Sequence, residues 1–159
     1  MAEPAPEIAE ETLRRALVDY VPFNRHLEIE VLVVQPGYGV VRLPDREFLR
    51  NHVGSQHAGA LFLAGEAAGG AAFIGAFAAE MGDITFLMKG ATISYSRLAH
   101  GDITATCRIG HALDGVRREL AATGRARLGA EVALEDGAET SVATLVLDYS
   151  VRRTGPARS

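Results

Sequence analysis

Cysteine is almost missing from this chain: Cys107 is the only one in 159 residues, so no internal disulfide can form. Without a disulfide framework, a reducing cytoplasm is the expected compartment. Cys107 lies in an alternating apolar pattern, which predicts a buried thiol rather than a nucleophile. Positive charge is not in excess either. The net charge is −4 at pH 7, which argues against a general nucleic-acid binder. The acidic start, MAEPAPEIAEETLRRAL, has no apolar core of the kind a secretory leader needs. His26, His52, His57, His100 and His111 are scattered without paired carboxylates, so no metal site is expected. Internal repeats and low-complexity linkers are also lacking. The chain therefore reads as one domain over 1–159, long enough to bury a continuous core, with tails at 1–5 and 154–159 that are expected to fray.

What is present is a sequence of clear periodicities. Pro6 to Val21 reads as an amphipathic helix with Leu13, Ala16, Leu17 and Tyr20 on one face, stopped by Pro22. Leu27 to Gln35 alternates as a strand, Pro36-Gly37 turns the chain, and Tyr38 to Leu43 returns. Ala58 to Ala79 is an Ala-rich helix with no polar face. Its length would span a bilayer, but Glu66 in its middle and the strands around it favour a buried helix of a soluble protein. Strand patterns follow at Thr85 to Arg97, with a bend at Gly90, and at Asp102 to Ile109. A short helix over Leu113 to Thr123 closes on Gly124. Ala126 to Leu134, a turn at Asp136-Gly137 and Ala143 to Val151 complete a late hairpin. The order predicts an α+β fold with an antiparallel sheet. A helix apolar all round must be wrapped by a strongly curved sheet, or be covered in part by a second subunit.

Between Arg50 and Glu80 the only charged side chain is Glu66. A carboxylate in such a setting must be hydrogen-bonded, protonated or facing a cavity. Two readings are open: an interface group bonded to a neighbour, or a functional acid. Just ahead of the helix stands Asn51-His52-Val53-Gly54-Ser55-Gln56-His57-Ala58-Gly59. His57 falls at or near the helix N-terminus, where free amides can hold an anion or oxyanion. Alternatively, Ser55 caps the helix and His57 merely packs.

Asn51, His57, Gly59 and Glu66, followed by a long strand ending in ISY, resemble the hotdog-fold thioesterases of the phenylacetate-pathway (PaaI-like) group. The stretches PFNRHL, RNHVGSQHAGALF and GRARLGAEVALEDG look like an uncharacterised branch of that superfamily. The likeness runs from about Val21 to Arg152. It implies a hotdog fold, in which a curved antiparallel sheet wraps the Ala58 to Ala79 helix behind an N-terminal helix. It also implies a homodimer or a dimer of dimers, with sites between subunits. The implied reaction is hydrolysis of an acyl thioester of coenzyme A or an acyl carrier protein. Coenzyme A would be part of the substrate, and no cofactor is needed. Carried over, the oxyanion amides are those of Ala58 and Gly59 after His57, and Glu66 is the nucleophile or general base. Asn51 resembles the Asn that positions water or thioester. Ala58 stands where the family often has Gly, and Glu66 where many members have Asp. Residues 58 and 66 are on the order of 12 Å apart along a helix, so the two halves of one site must come from different subunits. Two other readings are a non-catalytic acyl-thioester binding module and a hydratase or dehydratase on the same fold.

Overall fold

The computed structural model describes residues 9–110 and 112–154. Helix α1 (Glu10–Asp19) leads into a short helix α2 (Pro22–His26), then strands β1 (Glu30–Gln35) and β2 (Tyr38–Leu43). The long helix α3 (Ala58–Phe77) follows, extended by a 3-10 turn over Ala78–Glu80. Strands β3 (Ile84–Tyr95) and β4 (Ile103–Arg108), helix α4 (Ala112–Thr123) and strands β5 (Arg125–Glu135) and β6 (Ser141–Arg153) complete the chain. The six strands form one antiparallel sheet in the order β1-β2-β4-β5-β6-β3. The sheet curves around α3 in the hotdog arrangement.

The helix has no polar face, and the sheet's inner face covers it. Ala64, Ala68, Ala72, Phe73 and Phe77 are fully buried against Val41, Ile103, Cys107, Val132, Leu145 and Leu147. The small residues bring the backbones unusually close. A Cβ added to Gly39 on β2 would overlap the carbonyl of Ala68 and lie 2.6 Å from the amide nitrogen of Ala72. A Cβ on Gly75 of α3 would overlap the carbonyl of Gln35. Between them, the amide of Gly37 donates to the carbonyl of Ala72 at 3.2 Å. Helix α3 is long and apolar enough to cross a membrane, but most of it is buried here as the core helix.

The two sheet edges differ. Edge strand β1 is covered by α1, whose Arg14 donates to the carbonyl of Leu32 at 2.9 Å and whose Glu10 accepts from the amide of Val34 at 3.0 Å. Edge strand β3 is uncovered among the described residues. It runs 12 residues and leaves Leu87, Met88 and Tyr95 exposed. A long bare edge is a template for pairing with another strand.

Several expectations need correction. Pro22 does more than end α1: it starts α2, where a proline lacking an amide hydrogen fits the first turn. Leu27 and Ile29, expected in the first strand, belong to the turn after α2. Leu27 donates back to the carbonyl of Phe23, and Glu28 has φ +56°. Within β1 an irregularity between Val31 and Val33 shifts the alternation, so Val34 is the residue turned inward. The late hairpin turns through Asp136 to Thr140, with Glu139 rather than Gly137 at positive φ. The Asp136 carboxylate holds that turn by accepting from the amides of Ala138 and Thr140. Thr154, expected to fray, donates its amide hydrogen to the carbonyl of Asp83 at 2.8 Å. The expected start of the first helix at Pro6, the tail at 1–5 and residues 155–159 lie outside the described residues.

Candidate active site

The approach to α3 is bolted from three sides. The amide of Gln56 donates to the carbonyl of Ala99, and its buried Nε2 donates to the carbonyls of Pro44 and Gly101, each at 3.1 Å. The amide of His57 donates to the carbonyl of Leu49 at 2.8 Å. These bonds fix where the helix begins. Gln56 is a positioning residue that sequence reasoning missed; a polar side chain between two candidate residues was its only signal.

His57 is the N-cap of α3, in an extended conformation (φ −66°, ψ 138°). That conformation folds its ring over the first turn, and Nδ1 accepts from the amide of Gly59 at 2.9 Å. The expectation of two open amides is thereby corrected. The Gly59 amide is taken by the cap, and the Ala58 amide alone has no partner among the described residues. Ala58 is exposed, and its carbonyl accepts from the hydroxyl of Tyr95 at 3.0 Å. The end of β3 is thus tied to the first turn of α3. Ser55, an alternative cap, is committed elsewhere.

Asn51 faces its own loop. Its Oδ1 accepts from the amides of Val53 and Ser55, and its Nδ2 donates to the hydroxyl of Ser55 at 2.9 Å. The side chain braces its own loop, and one amide hydrogen is left over.

Glu66 lies nine residues beyond His57, on the order of 13 Å further along α3. No ion pair or hydrogen bond holds its carboxylate among the described residues. Burial pushes its pKa above the ordinary carboxylate value. The carboxylate faces a cavity of about 430 Å³ roofed by Leu13, Leu17 and Tyr20 and walled by Phe86. Tyr149 on β6 is buried nearby, its hydroxyl without a partner and its ionisation suppressed by burial and by the charge of Glu66. A second apolar cavity of about 420 Å³ lies at the His57 end, between Phe23, Phe48 and Leu63. The chain therefore places the capped first turn of α3, with His57 and Gly59, beside one cavity and Glu66 beside another. Cys107 is buried and its thiol is pushed up to about 12, so it is unreactive. Among the described residues no group of three or more His, Cys, Asp or Glu could hold a metal ion.

Comparisons with known proteins agree with this architecture. A family profile described as a domain of unknown function, DUF4442, matches residues 9–151. A Pseudomonas aeruginosa protein of unknown function, described as a probable thioesterase, has a solved structure similar to this one. It shares 28% identity with a TM-score of 0.84, over 94% of this chain and 99% of that one. The E. coli PaaI protein from the phenylacetic acid degradation operon is similar at 17% identity and a TM-score of 0.70, over 94% and 96% of the two chains. A variant of a Staphylococcus aureus thioesterase is similar at 18% identity and a TM-score of 0.66, over 83% and 99%. At those identities the last two show the fold alone. A search of curated proteins finds no match.

Proposed function

Since the chain belongs to the DUF4442 family and has the hotdog fold of PaaI-like proteins, we propose that it hydrolyses an acyl thioester of coenzyme A or of an acyl carrier protein. The observation that carries the reading is Glu66: an unpaired, desolvated carboxylate facing an apolar cavity inside a fold shared with thioesterases. Such a group binds a proton more readily than an exposed Glu, which suits it to general-base work near neutral pH.

In the proposed reaction, Glu66 takes a proton from water as the water oxygen attacks the thioester carbonyl. The open amide of Ala58 donates a hydrogen bond to the developing oxyanion, helped by the positive end of α3. The carbon–sulfur bond then breaks, and the thiolate leaves with the proton held by Glu66. The products are a carboxylic acid and a free thiol. Attack by Glu66 itself, through a mixed anhydride that water then opens, gives the same products. Since Ala58 and Glu66 of one helix are too far apart to share a carbonyl, each site joins the Ala58 end of one subunit to Glu66 of another. His57 holds the first turn and closes the Gly59 amide. Asn51 shapes the loop before it.

The test is thiol release over a panel of acyl-CoAs, with Glu66→Gln alongside. The expected result is release by the native protein and a loss of about 10²–10⁴-fold in kcat for the variant. Binding without release by the native protein would instead favour the acyl-thioester binding module. Hydration of an enoyl thioester with no thiol release would favour the hydratase.

A further inference from the structure

The cavity at Glu66 is longer than a catalytic carboxylate requires. Its floor is one stripe of α3 and the 3-10 turn that extends it, running from Glu66 through Gly70 and Ile74 to Ala78. Twelve residues of helix measure on the order of 18 Å. Its roof is the apolar face of α1, and Met81 and Phe86 form further walls. Among the described residues no Lys, Arg or His lines it. A chain carrying a second carboxylate would therefore find no counter-ion there.

Gly70 has no packing reason to be glycine of the kind that Gly39 and Gly75 have. A Cβ placed on it would meet only Leu17 Cδ2, at 3.6 Å, an ordinary contact. The missing side chain keeps the floor of the cavity clear. At roughly 30 Å³ per methylene, close to the share a water molecule takes of its liquid, a cavity of about 430 Å³ holds on the order of fourteen carbons.

Resting on the thioesterase reading, we propose that this cavity seats a linear, uncharged aliphatic acyl chain, on the order of fourteen carbons long. The chain lies along α3 between Gly70 and the α1 roof, with its thioester at Glu66. Helix α1 and Gly70 then set the chain length the protein accepts.

The experiment uses S-alkyl-CoA thioethers, which bind but cannot be hydrolysed, titrated calorimetrically into the native protein. Each methylene up to the limit should tighten binding by about fourfold, so S-decyl-CoA should exceed S-butyl-CoA by at least ~100-fold. Gly70→Leu fills the floor and should cut that ratio at least ~10-fold. Ile74→Ala opens it and should raise the ratio of S-hexadecyl-CoA to S-tetradecyl-CoA. Folding of each variant is checked by circular dichroism and a thermal melt, and if Gly70→Leu does not fold, Ile74→Ala carries the test. Equal affinity for the butyl and decyl thioethers, or ratios unmoved in a folded variant, would overturn the proposal. Tight decyl binding by a protein that releases no thiol from decanoyl-CoA would keep the cavity assignment and overturn hydrolysis alone.

Discussion

The ring of His57 sits over the amide of Gly59, with Nδ1 accepting its hydrogen at 2.9 Å. One residue therefore ends the loop, starts the helix and decides which amides stay open. Because Nδ1 accepts, the neutral ring carries its hydrogen on Nε2. His57→Asn should keep the cap and leave the melting temperature close to native. His57→Ala should cost about 1 kcal/mol. Thermal melts of the two variants separate capping from chemistry. Equal stability of both would mean that the cap contributes nothing.

Glu66 makes stability and activity depend on pH in opposite senses. Its folded pKa is raised by burial, so the folded chain keeps this proton to higher pH than the unfolded chain does. Its contribution is favourable in acid and is lost as pH rises through the raised value. Glu66→Gln, which never ionises, should match the native melting temperature near the ordinary carboxylate range and exceed it toward neutral pH. Activity should run the other way, since the base works only when ionised. The acid limb of kcat should have its midpoint above the ordinary carboxylate value. Parallel melts and rates across pH check both, and an E66Q melting temperature that tracks the native one at every pH would contradict the sign.

Tyr149 is buried beside Phe86 and Phe73, with ring centroids 5.7 and 6.2 Å away, and its hydroxyl has no partner. Tyr149→Phe keeps the ring contacts and removes an unsatisfied polar group. Stability should be unchanged or higher by about 1 kcal/mol, read from a denaturant midpoint. A clear loss would mean that the hydroxyl is bonded in solution.

Gly39 should tolerate nothing larger. A methyl there meets the backbone of α3, not the flexible end of a side chain. Gly39→Ala should destabilise by at least ~2 kcal/mol, whereas Gly82→Ala, with open space around it, should leave the melting temperature near native.

The bare edge of β3 and the split site together predict self-association. Sedimentation should give a multiple of the 16.9 kDa chain. Met88→Arg on that edge should shift the distribution toward the monomer and lower the rate of thiol release with it. A monomer that turns over substrate at micromolar concentration would remove the shared-site argument.

The long periodic runs were legible as sequence because nothing competes with them. Ala58 to Phe77 has one charge and no β-branched residue but Ile74, and Tyr38 to Leu43 was bounded correctly by its turn. The misread stretch shows what periodicity lacks. Leu27 and Ile29 are both buried and two apart, as in a strand, yet a helix turn and a residue at positive φ deliver them. Burial was legible there, and backbone path was not. At the candidate site, a solitary Glu and a His before an apolar helix are rare, and the structure puts one beside a cavity and the other at the helix cap. Their hydrogen bonds could not be read. Asn51 could equally have faced a ligand or its own loop, and the cap on Gly59 depends on a rotamer that no pattern encodes.

The glycine contacts at Gly39 and Gly75 have a consequence for how fast a ligand comes and goes. With backbone against backbone, α3 cannot slide or roll on the sheet, so the floor beneath Glu66 is immobile. Helix α1 is held mainly by side chains, through Arg14 and Glu10 on β1 and Leu17 on Ala71. On the proposed reading, on- and off-rates for a long chain should therefore follow the side-chain contacts that hold α1, not the packing of α3 on the sheet.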